Sequence, residues 1–304
     1  MISIVVISKD EPELDATLTG VAAEAAASGE PCEIVVVDAS DGRLDHLAAA
    51  HPAVRWLPFA RPPGVRVSIP HQRNTGVRAA TGGIVVFTDA GCRPAEGWLT
   101  ELLAPLHKEG EDVVAGVATG PSGHSGIYDR DALRAAAYLD ECPTINLAFR
   151  REVFDAVDGF DESFEYGSDV DFAWRVVAAG YRIRSAPGSR VVHDWGDPRR
   201  QARRSYAYGK ARARLYRKHR SRLRRLPVTE PMVVVYPVYL LGLPVVLVLS
   251  AVAPPWSLLV VPAYLALLLV PAWRNRGNGV LRVVADHLIY GAGVLAELVR
   301  RPRR

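Results

Sequence analysis

The sequence predicts an α/β domain on a mostly parallel sheet, followed by helices that cross or lie on a membrane. Three observations carry this reading. Residues 1–118 alternate apolar, β-branched runs with helix-spaced segments. From Pro231 to Trp273 there are 43 consecutive residues without a charge. The charge also divides along the chain. Residues 1–198 carry 17 Lys and Arg against 30 Asp and Glu, while residues 199–304 carry 20 against 3. An acidic first part joined to a basic second part indicates two environments.

The first part reads in order. Ile2–Ile7 is a buried strand, too short and too poor in basic residues for a secretion leader. Pro12–Ser28 has helical spacing at Leu14, Leu18, Val21 and Ala25, and Gly29 closes it. Glu33–Val37 is a second strand ending at Asp38. Leu44–Ala50 is a short helix and Val54–Phe59 is strand-like. Arg61–Pro70 is a Pro/Gly loop. His71–Ala80 is helical until Gly82 and Gly83 break it. Ile84–Thr88 is a strand ending at Asp89, Trp98–His107 a helix and Val113–Ala118 a strand. Apolar strands without alternation indicate a sheet covered on both faces. Ligands of such sheets sit beyond the carboxyl ends of the strands, where Asp38 and Asp89 stand. The three cysteines, Cys32, Cys92 and Cys142, are far apart and form no CxxC pair. That argues against a disulfide framework or a zinc site.

Residues 199–225 hold 13 Lys and Arg and no acid, with Tyr and Leu interleaved. Such a stretch suits nucleic acid or a membrane surface. The uncharged run that follows favours the membrane and disfavours nucleic acid as a partner. Pro254-Pro255 divides the run into two spans, about 232–253 and 256–273. Tyr236, Tyr239, Trp256, Tyr264 and Trp273 include interfacial anchors. Basic residues lie before the first span and after the second, so residues 1–230 are expected on the cytoplasmic side of a cell membrane, with the chain multi-pass. Asp286, His287 and Glu297 interrupt residues 280–299, which read as an interfacial helix before a basic tail.

Four stretches carry chemistry. The first joins Ile2–Glu11 to Val35-Val36-Val37-Asp38-Ala39-Ser40-Asp41. The second is Gln72-Arg73-Asn74-Thr75-Gly76, and the third is Phe87-Thr88-Asp89-Ala90-Gly91-Cys92. The fourth runs from Asn146–Phe154 through Gly159-Phe160-Asp161-Glu162 and Gly167-Ser168-Asp169-Val170-Asp171 to Ala179-Gly180-Tyr181. A strand-end carboxylate can accept a ring N–H or a ribose hydroxyl. An arginine fork suits a diphosphate. A carboxylate at the mouth of a helix can take a proton from a hydroxyl within reach, and Asp169 also reads as a helix N-cap.

Over residues 1–195, in this order, the chain resembles the family 2 glycosyltransferases of GT-A, Rossmann-like fold. The resemblance implies a nucleotide-sugar donor held by Asp38, Arg73 and Asn74, with Ser8 and Glu11 lining the same pocket. It implies Asp89 as ligand of a divalent cation, Mg²⁺ or Mn²⁺, with His193 as a further ligand. It implies Asp169 as the general base of an inverting transfer. Two positions depart from the family pattern. Gly91 stands where a second carboxylate of the metal motif is usual, and Ser168 stands where a glutamate is usual. Gln201-Ala202-Arg203-Arg204-Ser205 lacks the tryptophan of processive synthases, so single-sugar transfer is expected.

The expected organisation is a transferase domain at 1–198, a basic membrane-surface helix at 199–228, and a membrane hairpin with tail at 229–304. The expected acceptor is lipid-linked or a glycan, at the cytoplasmic face. The departures at Gly91 and Ser168 leave open a non-catalytic membrane scaffold with a degenerate donor pocket.

Overall fold

The computed structural model describes residues 1–120, 136–193, 198–274 and 279–300. Asp194, Arg276 and the tail at 301–304 lie outside these. The chain forms two compact units, Met1–Trp195 and Gly196–Arg304.

Among the described residues the first unit holds a sheet of nine strands: β1 (Ile2–Ser8), β2 (Cys32–Asp38), β3 (Val54–Pro58), β4 (Ile84–Asp89), β5 (Cys92–Pro94), β6 (Val113–Thr119), β7 (Tyr138–Leu139), β8 (Asn146–Arg150) and β9 (Ile183–His193). Their order is β3-β2-β1-β4-β8-β6-β9-β5, with β7 beside β9. Strands β3, β2, β1 and β4 run parallel, as expected from their apolar runs. The sheet as a whole is mixed, which corrects the mostly parallel expectation. Strand β8 enters antiparallel between β4 and β6, and β5 and β7 pair antiparallel with β9. The short run Asn-Leu-Ala-Phe-Arg of β8 has no pattern that reveals its direction.

Helices cover both faces. α1 (Leu14–Ala27) and α4 (Trp98–Lys108) bury Leu14, Leu18, Val21, Trp98 and Leu102 with Ile4, Val6 and Val36 of the sheet. The other face carries α3 (Ile69–Ala79), α5 (Arg151–Ala156) and α6 (Ser168–Ala178). Here Val5, Val35 and Val77 meet an aromatic layer of Phe87, Phe149, Phe154, Phe160 and Phe172. Phe160 and Phe172 stack with ring centroids 4.4 Å apart. A short helix, α2 (Asp45–Ala50), lies between β2 and β3.

Two local features seat α3. A Cβ on Gly76 would stand 2.4 Å from Val5 Cγ1, so only glycine lets the helix lie this close to the sheet. At its far end the Arg151 guanidinium donates to the carbonyls of Val77 (2.8 Å), Ala80 (2.8 Å) and Gly82 (2.9 Å). Val77 and Ala80 stand at the end of the helix, where carbonyls lack intrahelical partners, and Gly82 lies in the turn beyond it.

The second unit contains α7 (Pro198–Lys218), a 3₁₀ turn at Arg220–Arg224, α8 (Leu226–Thr229), α9 (Met232–Val252), α10 (Pro254–Arg274) and α11 (Val280–Val299). α7 is more than a solitary surface helix, because one side is buried against α11. A Cβ on Gly209 would fall 2.1 Å from Tyr290 O, and one on Gly293 2.1 Å from Tyr206 O. The two backbones therefore cross nearly in contact. The three acids of residues 199–304 each meet α7: Ser205 donates to Asp286 (3.4 Å), Arg212 to Glu230 (2.9 Å) and Arg217 to Glu297 (3.4 Å). Asp286, His287 and Glu297 are buried, which corrects the interfacial reading of 280–299: the polar residues face a helix partner.

Among the described residues one helix, Met232–Val252, is long and apolar enough to cross a membrane, where the sequence predicted two spans. The second apolar stretch, Pro254–Leu269, is shorter. Most of α9 is exposed, including Val238, Leu241, Leu247 and Val252.

Arg151→Ala is expected to lower the unfolding free energy of the first unit by about 2–3 kcal/mol, because charge-assisted bonds to helix-end carbonyls are lost. Arg151→Lys should restore less than half of that, since one ammonium does not reach three carbonyls in a fork. Urea unfolding of the full chain, followed by tryptophan fluorescence, checks both.

Candidate functional site

The carboxyl ends of β1, β2 and β4 lie side by side. The register sets Ser8 opposite Asp38 and Ile7 opposite Asp89. Three of the sequence-predicted residues thus share one edge of the sheet. Asp38 is 3% exposed and accepts from Ser40 Oγ (2.6 Å). Burial pushes its carboxyl above the ordinary range, and the Ser40 bond opposes that. Ser40 Oγ in turn accepts from the Asp10 amide (2.7 Å), and Arg43 bridges to Asp10 (2.7 Å), so the loops after β1 and β2 are tied together.

Gln72 extends this tie to α3. In the amide orientation that satisfies both of its polar atoms, it donates to Ser8 O and Val37 O and accepts from Ser68 Oγ, all at 3.0 Å. Its role was not foreseen, although it heads the Gln72–Gly76 stretch. A buried glutamine beside two strand ends was the available signal.

Helix α3 begins at Ile69, with a proline in its first turn, two residues earlier than expected. Arg73 therefore sits in the second turn, and its side chain, rather than a free backbone N–H, serves the site. It is 5% exposed. Nη1 donates to Ser168 Oγ (3.3 Å), Nη2 lies 3.8 Å from Asp89 Oδ1, and the guanidinium stands 5.5 Å from the Phe160 ring centroid. Its Nε is buried and has no hydrogen-bond partner in the protein. The structure turns Asn74 elsewhere. Its amide donates to Phe160 O and Glu162 (2.9 Å each) and accepts from Phe160 N (2.8 Å). Those bonds use it to hold the loop after α5, whereas the sequence reading set it among the donor ligands.

Asp169 is the second residue of α6. Gly167, with φ 76, is the N-cap, so the expectation that Asp169 caps the helix is corrected. Its Oδ1 accepts from the Val170 amide (2.9 Å). Asp169 keeps partial solvent access, but protein crowds its carboxyl. That desolvation pushes its pKa up, and the Arg73 guanidinium pulls it back down. The neighbouring Asp171 is fully buried and paired with Arg175 (2.8 Å), which also donates to the carbonyls of Val157 and Gly159 (2.7 Å to the latter). Of the two carboxylates in Ser-Asp-Val-Asp, Asp169 is the one left for a ligand.

His193 ends β9 opposite Cys92 of β5, and its Nδ1 is 3.7 Å from Cys92 Sγ. Burial, then the Asp89 and Glu11 carboxylates, push the Cys92 thiol up to about 12, which keeps it protonated beside His193. Among the described residues no three His, Cys, Asp or Glu side chains gather closely enough to hold a metal unaided. Asp89 Oδ1 is nonetheless buried and accepts no hydrogen bond. An oxygen anion held at a strand end in this way fits a hard divalent cation whose remaining ligands are phosphate oxygens and water.

The model of glycosyl transferase family 2 matches residues 3–160, and that of glycosyl transferase family group 2 matches residues 141–271. A pre-mycofactocin glycosyltransferase of Mycobacterium tuberculosis is 29% identical over 178 residues, 53% of this chain and 37% of that protein. Glycosyltransferase AglE of Haloferax volcanii is 26% identical over 165 residues, 51% of this chain and 53% of that one. The chain thus spans between a third and about half of these relatives' lengths. A solved structure, mannosyltransferase PcManGT from Pyrobaculum calidifontis in complex with GDP-Man and Mn²⁺, superposes with a TM-score of 0.67 at 22% identity, covering 98% of this chain and 87% of that one. That likeness shows a shared GT-A fold.

The raised pKa of Asp169 has a consequence for stability. An acid that is harder to ionise when folded leaves stability intact below its unfolded value, near 3.8, and removes it as pH rises towards the folded pKa. Asp169→Asn is therefore expected to match wild type in unfolding temperature near pH 4 and to exceed it increasingly with pH, levelling off above the folded pKa. Each kcal/mol regained should show as about 2–4 °C. Thermal unfolding from pH 4 to 8 checks the sign.

Proposed function

The chain belongs to glycosyl transferase family 2, and from that premise we propose that it transfers a single sugar, with inversion, from a nucleoside-diphosphate sugar to an acceptor hydroxyl. The observation that carries this is the convergence of Asp89, Ser168 and Asp169 on the buried guanidinium of Arg73, beside the strand end that holds Asp38.

In this reading Asp38 takes the nucleoside through a ring N–H or ribose hydroxyl, on a loop fixed by Ser40 and Arg43. Ser8, at the end of β1, and Glu11, in the loop after it, flank that pocket. Arg73 presents a guanidinium to the donor's phosphates and keeps Asp169 ionised. Asp169 accepts the acceptor's hydroxyl proton while that oxygen forms its bond to the anomeric carbon. The bond from the anomeric carbon to phosphate oxygen breaks, and its electron pair leaves with the nucleoside diphosphate. Asp89 and His193 are the residues that would hold a divalent cation, Mg²⁺ or Mn²⁺, which when bound supplies positive charge to the leaving diphosphate.

The second unit is read as the membrane anchor. Support comes from the uncharged run, the exposed apolar side chains of α9 and the basic residues on both sides of the run. In this reading α9 is the segment that enters the bilayer, and the basic residues that precede it keep the transferase unit on the cytoplasmic side, the source of nucleotide sugars. An acceptor carried on a lipid suits an enzyme tethered to the bilayer.

The test uses membranes containing the chain, a panel of UDP-, GDP- and polyprenyl-phosphate sugars, and a parallel series with chelator. Transfer from a nucleotide sugar is expected, with an inverted anomeric centre by proton NMR, and with loss on chelation. Asp169→Asn should lower the turnover by about 10²–10⁴-fold. Transfer only from a polyprenyl-phosphate sugar, or a retained anomer, contradicts the reading. The chain should also stay with the membrane pellet through an alkaline carbonate wash.

A further inference from the structure

The space that a side chain at position 91 would need is already taken. Gly91 has φ +89, a conformation that side-chain-bearing residues rarely adopt. A Cβ there would stand 3.3 Å from Glu11 Cδ and 3.4 Å from Glu11 Oε1. An aspartate's carboxyl carbon lies one bond beyond its Cβ. The Glu11 carboxyl therefore occupies the volume in which a carboxyl at position 91 would move.

Glu11 arrives there by a different route through the fold. β1 and β4 are register neighbours up to Ile7 and Asp89, so the loops that follow them run side by side. Glu11 lies three residues past the end of β1, and Gly91 two past the end of β4. The surrounding groups leave this carboxyl available. Its one hydrogen bond among the described contacts is a long one, 3.4 Å from the Glu13 amide. The nearby Arg93 is committed to Glu13 instead. Asp89 Oδ1, at the end of the adjoining strand β4, is buried and has no hydrogen-bond donor.

We propose that Glu11 supplies the second carboxylate of the divalent-cation site, in place of the side chain Gly91 lacks. Asp89, at the end of β4, and Glu11, in the loop after β1, would then hold the cation, with the donor's phosphate oxygens as its further ligands. Two carboxylates, phosphate and water are the hard oxygen ligands that Mg²⁺ and Mn²⁺ favour, beside which His193 would be the one nitrogen ligand. This rests on the reading of Asp89 as a cation ligand. It moves Glu11 from the nucleoside side of the pocket to the diphosphate side.

The experiment reads binding of Mn²⁺ alone, without turnover. Free Mn²⁺ is followed by electron paramagnetic resonance as it is titrated into the full-length chain in detergent, in the presence of UDP and, separately, GDP. Glu11→Gln is expected to weaken Mn²⁺ binding tenfold or more, and Asp89→Asn at least as much. Glu13→Gln removes a nearby carboxylate that is paired with Arg93, and should stay within twofold of wild type. Glu11→Gln within twofold of wild type, alongside loss in Asp89→Asn, overturns the proposal and leaves the reading of Asp89 standing. Absence of Mn²⁺ binding by the wild-type chain with either nucleotide overturns both.

Discussion

Arg73 carries its guanidinium into the interior from the second turn of α3, to a place where a lone charge would be costly. Four neighbours make the place tolerable: Asp89 at 3.8 Å, Ser168 Oγ at 3.3 Å, the charge of Asp169 and the face of Phe160. The dependence runs both ways. The crowded carboxyl of Asp169 would resist ionisation more strongly without the Arg73 guanidinium beside it. The rest of the first unit holds that cation in position. Gly76 sets α3 against β1, Arg151 anchors the end of the same helix, and Asn74 clamps the loop that carries Phe160. A shift in any of these would be felt at Asp89 and Asp169 together.

The two departures from the family pattern look different in three dimensions than in one. Ser168 removes a negative charge from the surroundings of Arg73 but keeps an oxygen that accepts its Nη1–H. The guanidinium is then shared by fewer anions, which leaves more of its field for Asp169. Gly91 removes a carboxylate, yet the space is filled by Glu11 from the neighbouring loop. Neither change empties the site of the chemistry that an inverting transfer needs, and this weighs against a purely scaffolding reading.

Much of this was legible from the residues. The strand ends at Asp38 and Asp89 follow from apolar runs that stop at a carboxylate, and the register places both on one edge. Asp169 was marked by its position at the mouth of a helix. What stayed hidden depends on long-range pairing. The direction of β8 is fixed by neighbours distant in sequence. The commitment of Asn74 to Phe160 spans 86 positions, and no local pattern announces it. Gln72 and Ser40 act through backbone groups that only the folded loops bring together. In the second unit, Asp286 and Glu297 suggested an interfacial helix. They are instead buried against α7, because glycines at 209 and 293 let the two helices approach closely enough for ion pairs and hydrogen bonds to form.

The account as a whole rests on Arg73 favouring the ionised form of Asp169 against the cost of its burial. Titration of the Asp169 carboxyl by carbon-13 NMR, in wild type and in Arg73→Gln, tests that link directly, with Asp169→Asn used to assign the signal. The account predicts a wild-type pKa above that of an ordinary aspartate, and a further upward shift in Arg73→Gln. A titration unchanged by the loss of Arg73, or moved downward, would contradict it.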